Sequence, residues 1–277
     1  MDKLVSTDWL DARLGADDLV VIDATMHLPD SGRDARAEFE ASHIRGARFL
    51  DLANFIDEGS QVPKAMPTAA QFADKMSDLG IAPGSRIVLY DDSAIRSAAR
   101  AWLIFDSYGE EKLAILDGGL GKWREEGKYL SSRVFDHSPR PRSPGDGSRD
   151  ILSKNDVRET LGAGRVQIVD ARDAARFEGR EGSGSEGHIP GAKNLPFGNL
   201  FAQDGTYKSA EEIRVEFERA GVDLEKPVVT SCNSGMTASV LLFGLELVGK
   251  RDAALYDGSW MEWGSDPSTP KEKGEAR

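Results

Sequence analysis

The sequence predicts an α/β protein built from two copies of one domain, each an open, mostly parallel sheet with helices on both faces. Three observations indicate this fold class: a duplicated series of sequence blocks, an alternation of β-branched segments with amphipathic segments, and a chain length of 277 residues. At roughly 150 residues per domain, that length corresponds to about two domains. Strands that alternate with helices form open α/β sheets.

The duplication is visible in four blocks that recur in the same order, about 140 to 147 residues apart. The pairs are VVIDA (20–24) with QIVDA (167–171), SHIRGARFL (42–50) with GHIPGAKNL (187–195), RIVLYDD (86–92) with PVVTSCN (227–233), and LDGGLGKW (116–123) with YDGSWMEW (256–263). We therefore predict one domain over residues 1–134 and its copy over 151–277. The segment 135–150 is dense in Pro, Ser, Gly and Asp, which is typical of a linker.

Within each copy, short apolar runs such as LVVID and PVVTS predict buried parallel strands. The spacing of apolar residues predicts a helix over 68–79, with a capping box formed by Thr68 and Gln71 and a stop at Gly80. Its counterpart in the second copy spans 209–220 and carries equivalent start and stop signals. Ligands of such sheets bind where strands pass into helices, beyond the carboxyl ends of the strands.

Composition excludes several classes of function. The 35 Lys and Arg residues stand against 47 Asp and Glu, a net charge of −12, which argues against a protein that wraps nucleic acid or coats an anionic membrane. The most apolar stretch, 240–249, is too short to span a bilayer and contains Glu246. The first residues carry acids where a signal peptide needs an apolar stretch, so we expect a cytoplasmic protein without a membrane partner.

The chain has a single cysteine, Cys232, so it has no intrachain disulfide and no multi-cysteine metal site. Such a residue is either an inert core side chain or a nucleophile. It begins the segment Cys-Asn-Ser-Gly-Met-Thr (232–237), between a predicted strand and a predicted helix. Gly235 permits a turn in which successive backbone N–H groups converge on one point, where the helix N-terminus adds partial positive charge. This arrangement favours a reactive thiolate.

The duplication supports the reactive alternative. The first copy carries Asp91 at the position of Cys232, so only the second copy holds a nucleophile. We therefore interpret 1–134 as a non-catalytic copy and 151–277 as the catalytic one. Asp23 and Asp170 recur at the ends of equivalent strands, and His43 and His188 recur in the duplicated histidine block, so we expect structural roles for all four.

At these residues the chain resembles the two-domain rhodanese-type sulfurtransferases, and within them the 3-mercaptopyruvate sulfurtransferases. GHIPGA at 187–192 is similar to the first signature of that family, and YDGSWMEW at 256–263 to its C-terminal signature. Mercaptopyruvate enzymes typically have Cys-Gly-Ser-Gly-Val-Thr in the active loop, whereas thiosulfate enzymes place basic residues after the cysteine. Here Asn233 and Ser234 are uncharged, and Met236 replaces the usual Val.

The resemblance implies a site of named residues. Cys232 is the nucleophile, the loop residues Asn233, Ser234, Gly235, Met236 and Thr237 bind the transferred sulfur, and Arg176 and Arg180 hold the substrate carboxylate. Relatives often carry a histidine near the position of Lys64, as part of a triad with the loop serine. The lysine makes a relay centred on Ser234 doubtful.

The resemblance further implies a sulfurtransferase that moves sulfur from 3-mercaptopyruvate through a Cys232 persulfide to a thiol acceptor such as thioredoxin, or to cyanide, and releases pyruvate. It needs no metal and no organic cofactor. Two alternatives stay open. One is a thiosulfate sulfurtransferase with the same fold, and the other is a sulfur-carrier or interaction protein with little turnover of its own.

Overall fold

The computed structural model describes residues 1–143, 150–163 and 165–276, which form two compact units. The first unit comprises the described residues within 1–57, 66–148 and 203–207, and the second those within 58–65, 149–202 and 208–277. Residues 144–149 of the predicted linker lie outside the described residues. The domain boundaries at 134 and 151 stay predictions.

The first unit is built on a five-stranded parallel sheet in the order β1-β6-β5-β2-β4, with a separate antiparallel pair, β3 and β7. The strands are β1 (Leu4–Val5), β2 (Leu19–Asp23), β3 (His43–Ile44), β4 (Arg48–Phe49), β5 (Arg86–Tyr90), β6 (Leu113–Leu116) and β7 (Leu130–Ser131). The helices are α1 (Thr7–Asp11), α2 (Ala35–Ala41), α3 (Ala69–Asp78), α4 (Ala98–Ser107) and α5 (Gly119–Glu125).

The second unit has a five-stranded parallel sheet in the order β10-β9-β11-β12-β8. Its strands are β8 (Ile151–Leu152), β9 (Gln167–Asp170), β10 (Lys193–Asn194), β11 (Val228–Ser231) and β12 (Ala254–Tyr256). Its helices are α6 (Lys154–Ala163), α7 (Ala174–Glu178), α8 (Ala210–Arg219), α9 (Ala238–Leu247) and α10 (Ser259–Ser265).

The two sheets have the same topology. Counted along each copy, the order of both sheets is first, fifth, fourth, second and third strand, which confirms the predicted duplication and the α/β fold class. The capping boxes of α3 and α8 also form as predicted, through Thr68 with Gln71 and Ser209 with Glu212. Each sheet reverses its direction of growth between its second and fourth strands, which is where open α/β sheets place a ligand.

Burial follows the strand pattern. The central strands β5 and β11 are almost wholly buried, and equivalent tryptophans of the two copies, Trp123 and Trp263, are both inaccessible to solvent. Helix α9 is buried along most of its length, which explains why its sequence is apolar on every side. No helix within the described residues is both long enough and apolar enough to cross a lipid bilayer.

Candidate active site

Cys232 lies at the switch point of the second sheet. It directly follows the central strand β11, and helix α9 begins six residues later at Ala238. The cysteine is only 1 % exposed and is a free thiol. Burial alone is what an inert cysteine would show, so the case for chemistry depends on the loop 232–237 around it.

The loop is held by a residue that sequence reasoning missed, Ser259. Its hydroxyl oxygen accepts the backbone N–H groups of Cys232, at 3.1 Å, and of Gly235, at 3.2 Å. The same hydroxyl donates its hydrogen to the carbonyl of Tyr256, at 2.9 Å. One buried side chain therefore uses its full hydrogen-bonding capacity to fix both ends of the turn that follows the cysteine.

Ser259 holds this position at a conformational cost. Its φ of 48° lies in the left-handed region, which is unfavourable for a residue with a Cβ by about 1–2 kcal/mol. Strained residues of this kind persist where the surroundings determine their conformation, and they cluster at functional sites. The sequence did contain a signal for this conformation. The equivalent residue of the first copy is a glycine, Gly119, whose φ is 59°.

Two further backbone bonds attach the loop to the start of α10. The N–H of Trp260 donates to the carbonyl of Cys232 at 3.0 Å, and the N–H of Met261 donates to the carbonyl of Asn233 at 2.8 Å. Gly235 takes the left-handed conformation that the sequence predicted, with a φ of 74°. The segment resembling a family signature, 256–263, thus supports the loop.

The remaining backbone donors of the loop are open. Within the described part of the chain, the structure assigns no acceptor to the backbone N–H groups of four loop residues, Asn233, Ser234, Met236 and Thr237. Helix α9, ten residues long, starts immediately after them, so its positive end adds to the same region. A loop with donors left over beside a cysteine can bind an anionic sulfur or an oxyanion on that cysteine.

The two arginines expected to bind substrate are on the surface. Arg176, at the end of α7, is 44 % exposed and pairs through Nε with Asp173. Arg180 is 59 % exposed and pairs with Glu178 at 2.6 Å. Their ion pairs are local, and their role toward the substrate stays a prediction.

A third arginine, Arg172, was not singled out from the sequence. It is 1 % exposed and forms a buried ion pair with Asp170, with Nη2 at 2.7 Å from Oδ2. Asp170 also accepts the backbone N–H of Arg172, as Asp23 accepts that of Thr25 in the first copy. Both aspartates thus bind turn amides, which confirms the structural role expected for them, whereas the guanidinium partner of Asp170 was not expected.

Two of the histidines behave as core residues. His43 and His188 are buried, stack on Phe39 and Phe177 and direct Nδ1 at the carbonyl oxygens of the same phenylalanines. The structural role expected for them is confirmed. Within the described residues, no group of three or more His, Cys, Asp and Glu side chains is arranged to hold a metal ion.

Lys64 has a left-handed backbone, with a φ of 56°. Its segment, 58–65, belongs to the same compact unit as Cys232.

The chain is similar to known proteins over most of its length. The family of rhodanese-like domains matches twice, at residues 6–126 and 153–266. A 3-mercaptopyruvate sulfurtransferase of Mus musculus is 40 % identical over 270 residues, which cover 94 % of this chain and 91 % of the relative. The 3-mercaptopyruvate sulfurtransferase of Escherichia coli is 34 % identical, covering 97 % of each chain. A thiosulfate sulfurtransferase of Gallus gallus is 37 % identical, covering 94 % of this chain and 92 % of the relative.

Two solved structures are similar to this chain over at least 94 % of its length. The crystal structure of SseA from Escherichia coli, described as a rhodanese-fold 3-mercaptopyruvate sulfotransferase, superposes with a TM-score of 0.86 at 32 % identity. That match covers 94 % of this chain and 99 % of SseA. Tum1 from Saccharomyces cerevisiae gives the same TM-score at 30 % identity and 98 % coverage of both chains.

Proposed function

The chain belongs to the rhodanese-like domain family and is a sulfurtransferase, and on this premise we propose that it transfers sulfur from 3-mercaptopyruvate through Cys232. The observation that carries the proposal is the loop 232–237, in which a cysteine is surrounded by backbone donors that have no acceptor among the described residues. Such donors stabilise negative charge on the cysteine without having to reorganise.

In the first half-reaction the Cys232 thiolate attacks the sulfur atom of 3-mercaptopyruvate. A sulfur–sulfur bond forms, the carbon–sulfur bond breaks, and its electron pair leaves with the organic product as an enolate. Protonation of that enolate gives pyruvate, and a persulfide remains on Cys232. The open N–H groups of Asn233, Ser234, Met236 and Thr237 hold the outer sulfur while it is anionic.

In the second half-reaction an acceptor thiolate attacks the outer sulfur and regenerates the Cys232 thiolate. The acceptor is a small thiol, a thioredoxin-like protein or cyanide, and it must reach a cysteine that is 1 % exposed. The cytoplasm suits this chemistry because thiols are kept reduced there. The resulting cycle contains no redox step that requires a metal or an organic cofactor.

Arg176 and Arg180 are proposed to orient the carboxylate of the keto acid. Each is already paired with an acid of its own segment, so the substrate carboxylate would exchange with Asp173 or Glu178. That exchange is inexpensive because exposed ion pairs contribute only about 0–1 kcal/mol. Arg176→Gln should raise KM for 3-mercaptopyruvate more than it lowers kcat, with Arg219→Gln as a surface control.

The identity of the sulfur donor needs a direct test. Relatives named for mercaptopyruvate and relatives named for thiosulfate have similar sequence identities to this chain. The loop favours mercaptopyruvate, since Asn233 and Ser234 offer no cation for a thiosulfate dianion. We expect kcat/KM to be at least tenfold higher with 3-mercaptopyruvate. A preference for thiosulfate would overturn the assignment.

The covalent intermediate has a separate test. After treatment with 3-mercaptopyruvate and no acceptor, mass spectrometry of the intact chain should show one added sulfur atom, and peptide mapping should locate it on Cys232. Pyruvate release without sulfur on the cysteine would contradict the scheme. Negligible turnover with both small donors, together with sulfur uptake from a desulfurase, would indicate a sulfur carrier.

A further inference from the structure

The catalytic copy contains a fully built binding site for a guanidinium group, occupied by its own Arg172. Nε and Nη2 of this residue bind the Asp170 carboxylate, Nη2 also donates to the carbonyl of Gly187, and Nη1 donates to the hydroxyl of Ser185. The guanidinium carbon lies 4.8 Å from the centre of the Trp260 ring, a cation–π distance. A carboxylate, a carbonyl and an aromatic face thus enclose one cation.

The first copy contains the same framework without the arginine. Thr25 donates its backbone N–H to Asp23 at 2.9 Å, as Arg172 does to Asp170. The N–H of Leu120 donates to the carbonyl of Asp91 at 3.0 Å, as that of Trp260 does to Cys232. These matched bonds identify Thr25 as the counterpart of Arg172 and Leu120 as the counterpart of Trp260.

A cavity of about 280 Å³ is present in the first copy where the second copy holds its guanidinium. Its walls include Asp23, Thr25, Phe39, Ser42 and Leu120, which are the counterparts of the residues in and around the arginine site. An adjoining cavity of about 340 Å³ shares Thr25 and Arg33 with it. The replacement of arginine by threonine and of tryptophan by leucine accounts for the empty volume.

The walls of the cavity carry an excess of negative charge. Asp23, Glu38 and Asp92 contribute three carboxylates, against the guanidiniums of Arg33 and Arg124. Arg33 is engaged by Glu38 at 2.7 Å and by Asp92 at 2.9 Å, and Arg124 lies 3.5 Å from Asp92.

The Asp23 carboxylate is the counterpart of the group that binds Arg172, and it is 2 % exposed. Burial raises its pKa, since the hydrogen bonds from Thr25 and Tyr90 come from neutral groups and only partly offset the loss of water. A cation in the cavity would compensate this charge, as Arg172 does for Asp170.

We propose that this cavity of the non-catalytic copy binds a guanidinium group supplied from outside the chain. The site is distinct from the sulfur-transfer loop, and its occupancy does not depend on which sulfur donor the enzyme uses. The same chemistry is available from a small molecule such as free arginine and from an arginine side chain of a partner protein. The fork of N–H donors distinguishes this ligand from an ammonium ion of equal charge.

The test is a titration of the full-length, isotope-labelled protein, observed through its backbone amide resonances at constant ionic strength. Methylguanidinium should produce saturable shifts at Thr25, Ser42 and Asp92 in the millimolar range, and methylammonium should not. Free L-arginine and a blocked Gly-Arg-Gly peptide follow as second ligands. Tighter binding of the peptide would identify a partner protein as the source, and tighter binding of free arginine a small molecule.

Two pairs of variants make the result specific. Thr25→Arg supplies the guanidinium from within and should weaken methylguanidinium binding at least ~10-fold, with Thr25→Lys as the matched cation without a fork. Leu120→Trp restores the aromatic face and should tighten binding ~3-fold or more, whereas Leu120→Met should leave it within about twofold. The tryptophan variant keeps the proposal testable if the arginine variant does not fold.

Three results would overturn the proposal. They are equal shifts with methylammonium, shifts that do not saturate, and a stronger response to sulfate than to methylguanidinium, which would indicate that Arg33 and Arg124 govern the cavity instead. Unchanged binding in both Thr25→Arg and Leu120→Trp would also exclude the assigned location.

Discussion

The loops that follow the central strands of the two copies differ in how their backbone N–H groups are used. In the first copy the Asp91 carboxylate accepts the N–H of Ser93 at 2.9 Å and that of Ala98 at 2.7 Å. The N–H of Asp92 is bound by the hydroxyl of Thr25 at 3.0 Å. In the second copy Cys232 offers no such acceptor to the donors of its loop.

This difference supports the proposal that one framework has yielded a copy without chemistry, here called the silent copy, and a copy that transfers sulfur, the active copy. The first loop carries its own anion, and that carboxylate satisfies the donors at the start of α4. The second loop carries a thiol at the same place and leaves four backbone donors without an acceptor among the described residues, where we propose that a sulfur anion binds. The silent copy therefore shows, in a permanent form, the interaction that we propose the active copy makes only during turnover.

The two loops differ most at the residue that follows the central strand, and exchanging that residue should have the greatest consequence. Cys232→Ser should abolish sulfur transfer, with a loss of at least ~1,000-fold in kcat/KM, because no nucleophile remains. Cys232→Asp should be equally inactive yet keep its thermal midpoint within a few degrees, because loop donors receive a carboxylate as in the first copy. Asp91→Asn is the control with the catalytic copy intact. Persistent transfer by the serine variant would contradict the role of Cys232.

The second prediction concerns Ser259, which has Gly119 as its counterpart. Ser259→Ala leaves the N–H groups of Cys232 and Gly235 without an acceptor, at about 1–3 kcal/mol of unfolding free energy, and should lower kcat/KM ~10-fold or more. Ser259→Gly loses the same bonds but relieves the strain of a φ of 48°, so it should be the more stable of the two. Urea unfolding and steady-state kinetics test this order, and the reverse order would refute the strain argument.

A smaller effect is expected at Gly235, whose φ is 74°, whereas the residue three positions after Asp91 in the first copy, Ala94, has no positive φ. Gly235→Ala should cost about 1–2 kcal/mol because the left-handed region is unfavourable for alanine. Gly198→Ala is the matched control, since Gly198 has open space around its Cβ position and no positive φ. Equal unfolding free energies for the two variants would show that the turn relaxes without cost.

A pH-dependent effect is expected at the acid of the silent loop. Burial raises the pKa of Asp91 to about 6, against hydrogen bonds from Ala98 and Ser93 that lower it. The folded state therefore binds this proton more tightly than the unfolded chain does, and the stabilisation is lost as the pH rises from about 4 to about 6. A carboxyl ¹³C titration should give a midpoint near 6, and Asp91→Asn should show a shallower fall in stability across that interval. A midpoint near 4 would contradict the proposed environment.

The sequence predicted the fold, the duplication and the position of Cys232, because repeats, strand patterns and a strand–loop–helix junction are local in the chain. It did not predict Ser259, because the two N–H groups that its hydroxyl accepts lie 27 and 24 residues away, and only Gly119, at the equivalent position, indicated the positive φ. Arg172 was missed because an arginine that follows a strand is usually solvated, and only its burial against Asp170 shows otherwise. Arg176 and Arg180 were named from a resemblance, and their partners, Asp173 and Glu178, could not be seen from spacing.

The pairing of His188 with Glu272 has a consequence for the order of folding. Their backbones exchange two hydrogen bonds, of 2.9 and 3.0 Å, and the loop after Cys232 is fixed by Ser259 and Trp260. Ser259, Trp260 and Glu272 are all synthesised after the cysteine, whereas both members of the equivalent pair in the first copy, His43 and Ser131, precede the predicted second copy. During synthesis the loop around Cys232 therefore acquires these supporting contacts only after residues 259–272 have been added to the chain.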